Sequence, residues 1–261
     1  MTNETLGIIG GTGWLGGSIA KAVLAKAVFP AGKLVVSNRS GTHQLAHQGA
    51  SLATDNQELV IRSDLVIIAV RPEHFASLNI NAAGKVIISL MAGISARTIA
   101  AQTSASAVVR AMPNAAVEIE QSFTPWYCFG AIDASTKNLV QRLFECVGTA
   151  AEVQEEGFID YLTALSGTGP AFPALLMTAL STQAIVAGIP ADIALLAAKN
   201  VVINSSQLLA CRDAQEMIDA LVAYRGVTAA ALQAMTHGHF EALIGRALQE
   251  GAAVARKGLQ S

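Results

Sequence analysis

Three glycines near the amino terminus have the G-x-G-x-x-G spacing of a dinucleotide-binding turn. They follow a short apolar run that predicts a buried strand, and an apolar-periodic segment that predicts a helix comes next. Glycine allows a tight turn, a close approach of the backbone to a pyrophosphate, and close packing of the helix on the strand. The free N–H groups of the helix then face the phosphate charge. The alternative is a plain strand-to-helix turn. The predicted cofactor-binding segment is Gly11, Thr12, Gly13, Trp14, Leu15 and Gly16.

The end of the second predicted strand, residues 33–37, indicates which dinucleotide binds. A carboxylate there would bind the ribose 2′-hydroxyl of NAD, but the segment Ser37, Asn38, Arg39 and Ser40 contains no acid. Hydrogen-bond donors beside a fixed cation suit a 2′-phosphate. We therefore expect NADP, with NADPH preferred over NADH. The alternative is a solvated turn without a ligand.

Further apolar runs alternate with helical patterns along the first half of the chain. This alternation predicts an α/β fold with an N-terminal Rossmann-like doubly wound sheet. The loops that follow Val70, Ser89 and Met112 should share one crevice with the glycine turn, because ligands bind at the carboxyl ends of parallel strands. The additional predicted strands are residues 64–70, 85–89, 107–112, 126–130 and 149–153.

From Gly157 onward the pattern is helical only. We expect a dinucleotide-binding domain at 1–157 and an all-α substrate and dimerisation domain at 158–261. The segment 191–210 is apolar nearly all round, so it must be covered on every side. This predicts a homodimer through the helical domain, with a well-covered monomer as the alternative. The predicted helices are 158–166, 171–187, 191–210, 213–222 and 228–257.

Composition narrows the function classes. The 261 residues are 52% hydrophobic and 14% charged, and the net charge is −2 without basic blocks, which argues against nucleic acid and membrane surfaces as partners.

The three cysteines lack the spacing of a metal site or a disulfide framework, so no metal is expected. The first residues lack a positive leader region, and no stretch of about 20 uninterrupted apolar residues is visible. A cytoplasmic enzyme is expected.

The helical half opens with an unusual segment, residues 163–171. It offers the hydroxyls of Ser166 and Thr168 and the glycines Gly167 and Gly169 just ahead of a helix start. Backbone N–H groups and hydroxyls in such a segment would form a receptor for a small carboxylate.

Taken together, these motifs resemble the pyrroline-5-carboxylate reductase family over nearly the whole chain. The resemblance implies hydride transfer from NAD(P)H to the C=N carbon of a cyclic imino acid, with 1-pyrroline-5-carboxylate reduced to proline in proline biosynthesis. The strongest piece is the segment 160–171, which is close to the family's signature loop. The other matching pieces are the glycine turn, Asn38-Arg39, Asn56, the segment 69–72 and the segment 110–114.

The resemblance also implies positions for the bound molecules. The segment after the second strand, Ser37, Asn38 and Arg39, would face the adenosine phosphate, and Asn56 would face the ribose. The residues implied for the adenine and ribose side are Ala69, Val70, Arg71 and Pro72, and those implied for the nicotinamide end are Met91, Ala92 and Asn114.

A second family loop, Ser-Pro-Gly-Gly-(Thr or Ala)-Thr, is changed in this chain. The matching segment is 223–228, in which only Gly226 and Thr228 remain. The resemblance assigns Thr228 to the substrate nitrogen, and the loop to the substrate pocket in the dimer. Arg225 is either a partner for a carboxylate or a surface residue at a dimer edge. The change puts the identity of the substrate in doubt.

Three other functions remain open. A β-hydroxyacid dehydrogenase would need a lysine one turn into the helix after the glycine-rich segment, near Pro173, but the nearest downstream lysine is Lys199. A related imine or ketimine reductase would act on a different cyclic substrate. A dinucleotide-binding protein without turnover would account for the changed loop at 223–227. Assembly beyond a dimer is open.

Overall fold

The computed structural model describes residues 3–38 and 49–257. The chain divides into two compact units, which are described separately. The first comprises the residues up to Thr168 together with the segment from Glu250 onward, and the second runs from Gly169 to Gln249.

The first unit contains one eight-stranded sheet in the order β3-β2-β1-β4-β5-β6-β7-β8. All neighbouring strands are parallel except β6 and β7, which are antiparallel. The predicted α/β fold with a doubly wound sheet is confirmed. The strands are β1 (Leu6–Ile9), β2 (Leu34–Ser37), β3 (Ser51–Leu52), β4 (Leu65–Ile68), β5 (Val86–Ser89), β6 (Ala107–Ala111), β7 (Ser122–Phe129) and β8 (Gly148–Glu152).

Two strands differ from the prediction. The two-residue strand β3 is not among the strands that the sequence predicts. Strand β7 begins at Ser122, four residues before the predicted start, and runs antiparallel to β6. Pro125 concealed this strand, because proline donates no ladder hydrogen bond. It is tolerated because only residues 126–129 pair with β6, and Pro125 pairs with Ala151 of β8.

Helices cover both faces of the sheet. One apolar cluster joins the sheet to α1 (Trp14–Ala25) and α4 (Ala134–Glu145). The other joins it to α2 (Asn56–Arg62) and α3 (Ala96–Thr103). In β1, Ile8 faces the first cluster and Ile9 the second, as the two-residue period of a strand requires. Burial on both faces explains why the parallel strands are almost wholly apolar.

The first unit ends in α5 (Glu156–Leu162), which continues into a π-helical turn at Thr163–Gly167. This turn occupies most of the segment that the sequence indicated as a carboxylate receptor. Near the end of the chain, α10 (Phe240–Lys257) packs against it. A Cβ at Gly251 of α10 would lie only 2.9 Å from the Cβ of Ala164.

The second unit is helical, as predicted, but two of its predicted helices are interrupted. The segment 191–210 contains α7 (Ala191–Lys199) and then π-helical and 3-10 turns. The segment 228–257 is broken at Gly238–His239, where His239 has a φ of 57°. The other helices are α6 (Ala171–Val186), α8 (Ala214–Tyr224) and α9 (Val227–His237).

The second unit exposes much apolar surface. None of the described residues in α6 or α8 is buried, and Leu175 and Val186 of α6 are 70% and 75% exposed. By length and composition alone, the helical stretches 156–186 and 191–210 could each cross a membrane. This is weak evidence, because apolar helices of soluble proteins meet the same test. Apolar surface on this scale indicates a partner that covers it.

Gly148 at the start of β8 is the backbone position that tolerates a side chain least. Its φ is +148°, and a Cβ there would lie 2.0 Å from the carbonyl oxygen of Ser122. We expect Gly148→Ala to lower the free energy of unfolding far more than Gly84→Ala. Gly84 has a φ of +74° but no atom within 4 Å of the added Cβ, so only backbone strain of about 1 kcal/mol is expected. Urea unfolding of the two variants measures the difference, and equal losses would contradict the steric argument.

Candidate functional site

A cavity of about 1090 Å³ lies at the carboxyl ends of β1, β2 and β4 in the first unit. This is the edge where a doubly wound sheet binds its ligands. Eight of the predicted cofactor residues line it: Thr12, Gly13, Ser37, Asn38, Asn56, Ala69, Val70 and Arg71. The structure thus brings together residues from four separate segments of the sequence.

The glycine turn forms one wall of the cavity. The N–H groups of Gly10 and Gly11 both donate to the carbonyl oxygen of Ser37, at 3.1 and 3.2 Å. Gly10, which the spacing had not singled out, has a φ of +80°, and a Cβ there would lie 2.7 Å from the carbonyl oxygen of Ala69. A Cβ at Gly16 would lie 2.5 Å from the carbonyl oxygen of Gly10. Glycine at these positions lets β1, α1 and the end of β4 approach closely.

The end of β2 meets the start of α2 at the same cavity. The hydroxyl of Ser37 donates to the side-chain oxygen of Asn56 at 2.7 Å, and both residues line the cavity. Ser37 is only 3% exposed, so this hydrogen bond orients its hydroxyl. The predicted phosphate-binding residue Arg39 lies outside the described residues, as does Ser40.

A capping arrangement holds the start of α2. The N-cap Asp55 accepts from the N–H of Glu58 at 2.8 Å, and the Glu58 carboxylate accepts from the N–H and hydroxyl of Thr54 at 2.6 and 2.7 Å. These bonds from Thr54, and then Arg62, lower the pKa of Glu58 to about 2. Thr54 and Asp55 line the cavity and were missed in the sequence analysis. The D-x-x-E spacing of a capping box is the signal that indicates them.

A 3-10 helix at Pro72–Ser77 closes another side of the cavity. It brings His74 and Ser77 into the lining, where no sequence motif had indicated them, and Leu78 follows directly. The Arg71 side chain is 81% exposed and lies 3.7 Å from a carboxylate oxygen of Glu73. A mobile cation at the rim can reach a negatively charged ligand.

The remaining predicted cofactor residues lie outside this cavity lining, and their roles stay predictions. Met91 is 1% exposed, and its N–H donates to the Ser89 hydroxyl at 3.2 Å. The indole N–H of Trp14 donates to the carboxylate of Glu118. Among the described residues, the set is Gly11, Trp14, Leu15, Gly16, Pro72, Met91, Ala92 and Asn114.

The hydroxyl groups of the π-helical turn and of Thr168, which follows it, donate to nearby helix carbonyls. The hydroxyls of Thr163, Ser166 and Thr168 donate to the carbonyl oxygens four residues earlier, at 2.7 Å for Thr163 and Ser166. Such bonds compete with the backbone N–H groups for these carbonyls, and they often bend the helix locally. Single π-helical turns occur frequently at functional sites.

In the second unit, the changed loop has an unusual backbone. Arg225 has φ 63° and ψ −175°, a region that glycine occupies almost alone, and Gly226 follows with φ 89°. Thr228 is the second residue of α9, directly after this loop. Tyr224 and Val227, which flank the strained pair, are 88% and 90% exposed.

Comparison with known proteins establishes the family. Residues 156–258 match the family model for pyrroline-5-carboxylate reductase dimerisation, and residues 5–93 match that for NADP oxidoreductase, coenzyme F420-dependent. A pyrroline-5-carboxylate reductase from Synechocystis is 30% identical over 216 residues, which cover 78% of each chain. The chain belongs to the pyrroline-5-carboxylate reductase family.

Solved structures of other family members have the same fold. Pyrroline-5-carboxylate reductase from Streptococcus pyogenes is 26% identical, with a TM-score of 0.82 over 98% of this chain and 99% of that one. The Plasmodium falciparum enzyme, solved with NADP bound, is 21% identical, with a TM-score of 0.81 over 98% of both chains. The family predicted from the motifs is therefore confirmed.

The glycine turn permits a test with a matched control. We expect Gly16→Ala to weaken NADPH binding at least about tenfold, because the new Cβ would displace the Gly10 carbonyl. Gly17→Ala changes the next residue of α1, where the added Cβ would meet no atom closer than 3.6 Å, and should leave binding unchanged. Fluorescence titration with NADPH measures both, and equal affinities would remove the turn from the binding site.

Proposed function

We propose that this protein reduces the C=N bond of a cyclic imino acid with NADPH, converting 1-pyrroline-5-carboxylate to proline. The observation that carries the proposal is the open glycine turn beside a cavity of about 1090 Å³, in a chain of the pyrroline-5-carboxylate reductase family. A cavity of this size suits a dinucleotide at the carboxyl edge of the sheet.

The residues around the cavity fit NADPH, which supplies the hydride when bound. Thr12 and Gly13 line the cavity, so the backbone there is open to a pyrophosphate. Gly10 and Gly16 have no space for a side chain, which keeps the turn tight. The Ser37–Asn56 pair presents oriented polar groups to a ribose. Asn38 and Arg39 supply further donors near a 2′-phosphate, which favours NADPH over NADH.

The π-helical turn and Gly169 are proposed to bind the carboxylate of the imino acid. Because the hydroxyls of Ser166 and Thr168 already donate to helix carbonyls, a hydroxyl contributes only after it rotates. The N–H groups at the start of α6, directly after the turn, provide the first donors. In this proposal, Ser166, Gly167 and Thr168 contribute to carboxylate binding because they shape the turn.

Thr228 is proposed as the catalytic residue, donating a hydrogen bond to the imine nitrogen. A donor at this nitrogen stabilises the charge that changes as hydride reaches the neighbouring carbon. The strained conformation of Arg225 supports a role for it and Gly226 in substrate binding, since such strain concentrates at ligand-binding positions.

The helical region, proposed as the domain 158–261, carries dimerisation, and the cofactor domain is 1–157. The exposed apolar faces of α6 and α8 are suited to a second copy of the chain. We place the enzyme in the cytoplasm, with a small-molecule substrate and without a metal.

A second candidate is a related imine reductase that acts on another cyclic substrate. The changed loop favours it specifically, because Tyr224 and Arg225 replace the family's Pro and Gly and add an aromatic ring and a cation. One experiment separates the two: NADPH oxidation with five- and six-membered cyclic imines that carry the carboxylate on either side of the C=N bond. Oxidation with 1-pyrroline-5-carboxylate supports the first function, and no oxidation with any imine overturns both.

The preference for NADPH is tested at Arg39. We expect Arg39→Ala to raise the Kd for NADPH about tenfold or more, and that for NADH much less, because a charge-assisted phosphate bond is lost. Lys33→Ala removes a cation at the opposite end of β2 and serves as the matched control. Equal weakening of the two cofactors by Arg39→Ala would contradict the phosphate assignment.

The role of Thr228 is tested by removing and then retaining its hydroxyl. Thr228→Ala should lower kcat about tenfold or more with an unchanged Kd for NADPH, and Thr228→Ser should restore most of the rate. Steady-state kinetics with the preferred imine measure both. An unchanged kcat in the alanine variant would mean that another group binds the imine nitrogen.

A further inference from the structure

Arg110 is a buried cation in the middle of the sheet. It lies in β6 and is 3% exposed. Its Nη1 donates to Oε1 of Glu156 at 2.9 Å, and its Nη2 donates to Oδ1 of Asp160 at 3.1 Å. Within the described residues its Nε has no partner, so the hydrogen bonds of this guanidinium all go to α5. The buried charge therefore holds one particular helix.

The two carboxylates depend on that cation. Glu156 and Asp160 lie one turn apart on the same face of α5, where like charges repel. Glu156 Oε1 also accepts from the N–H of Ala96 at the start of α3, at 2.7 Å. Arg110 offsets the repulsion, and the cluster fixes α5 against both β6 and α3.

The position of α5 determines the position of the π-helical turn. Thr163, the first residue of the turn, has helical φ and ψ of −62° and −43°, so α5 passes into it without a break. A shift of Asp160 therefore moves Ser166 and its neighbours. From the other side, Gly251 allows α10 to approach Ala164 of the turn.

A second contact joins the segment directly after β6 to the turn. Asn114, which lies four residues after Arg110, donates from Nδ2 to the carbonyl oxygen of Ser166 at 2.9 Å. Its Oδ1 accepts from the N–H of Ala116 at 2.9 Å, and its own N–H donates to the Ser122 hydroxyl at 3.0 Å. Both ends of the side-chain amide are thus committed, which fixes its orientation.

We propose that Arg110 and Asn114 are positioning residues for the substrate carboxylate. Arg110 acts through Asp160 and Glu156, and Asn114 acts through the Ser166 carbonyl. Together they hold the π-helical turn, and with it the start of α6, in the position proposed to bind the carboxylate. The inference rests on the proposed reduction of a cyclic imino acid, and it gives the segment 110–114 a function on the substrate side in addition to the predicted approach of Asn114 to nicotinamide.

The test removes the Asn114 contact with little other change. Asn114→Ser keeps a side-chain oxygen that can cap the N–H of Ala116, adds no charge, and is too short to reach Ser166. We expect KM for the imino acid to rise about tenfold, the equivalent of about 1.4 kcal/mol, and to change by a larger factor than either kcat or the Kd for NADPH.

Ser122→Ala provides the structural control. It removes the hydrogen bond to the N–H of Asn114 but leaves the side-chain bond to Ser166 in place. We expect it to lower Tm about as much as Asn114→Ser does, with an unchanged KM. A similar rise in KM in both variants would show that loss of stability alone explains the effect, and would overturn the proposal.

Arg110→Lys tests the contacts of Arg110 with α5. The single ammonium group of lysine cannot bind both carboxylates as the two guanidinium nitrogens of Arg110 do. This variant should also raise KM, and combining it with Asn114→Ser should give less than the product of the two increases, since both act through one turn. Multiplicative effects, or an unchanged KM in Asn114→Ser, would overturn the proposal.

The failure of this inference can be told apart from the failure of the proposed function. If none of the cyclic imines supports NADPH oxidation by the unsubstituted enzyme, both fail. If the unsubstituted enzyme is active but the variants do not change KM as expected, only this inference fails.

Discussion

A parallel sheet has to be buried on both faces, and this constraint governs the first unit. Its central strands are apolar on both sides, and helices cover them from α1 and α4 on one face and from α2 and α3 on the other. Polar groups therefore gather mainly at strand ends. The carboxyl ends of β1, β2 and β4 form the cavity, and the charged Arg110 is an exception that lies buried within β6. A buried charge persists there because two carboxylates meet it.

The sequence predicted those parts of the fold that neighbouring residues determine, and it failed where residues distant in the sequence determine the structure. Apolar runs ended by polar or turn residues predicted β1, β2, β4, β5 and β6, because burial on both faces leaves a strong pattern in the sequence. Strand β7 was misjudged because the effect of Pro125 depends on which neighbour it pairs with. In the glycine turn, Gly10 and Gly11 are adjacent, and the carbonyl that leaves no space for a side chain on Gly10 belongs to Ala69, far away in the sequence. The π-helical turns have the same apolar pattern as α-helix and leave no separate signal.

The site shows the same division. Ser37, Asn56 and the segment 69–71 were predicted and line the cavity together, because each ends or follows a recognisable element. The partners of Arg110 lie 46 and 50 residues away in sequence, so no local pattern indicates them. The family resemblance implied that Asn114 approaches the nicotinamide, and the hydrogen bond from Asn114 to Ser166 connects it to the π-helical turn. The altered segment 223–228 changes the side chains offered to a ligand without interrupting α8 or α9.

The apolar helices of the second unit determine how many chains a single substitution affects. Since none of the described residues of α6 or α8 is buried within one chain, two copies must share an interior that neither has alone. A substitution on these helices then affects both members of a pair.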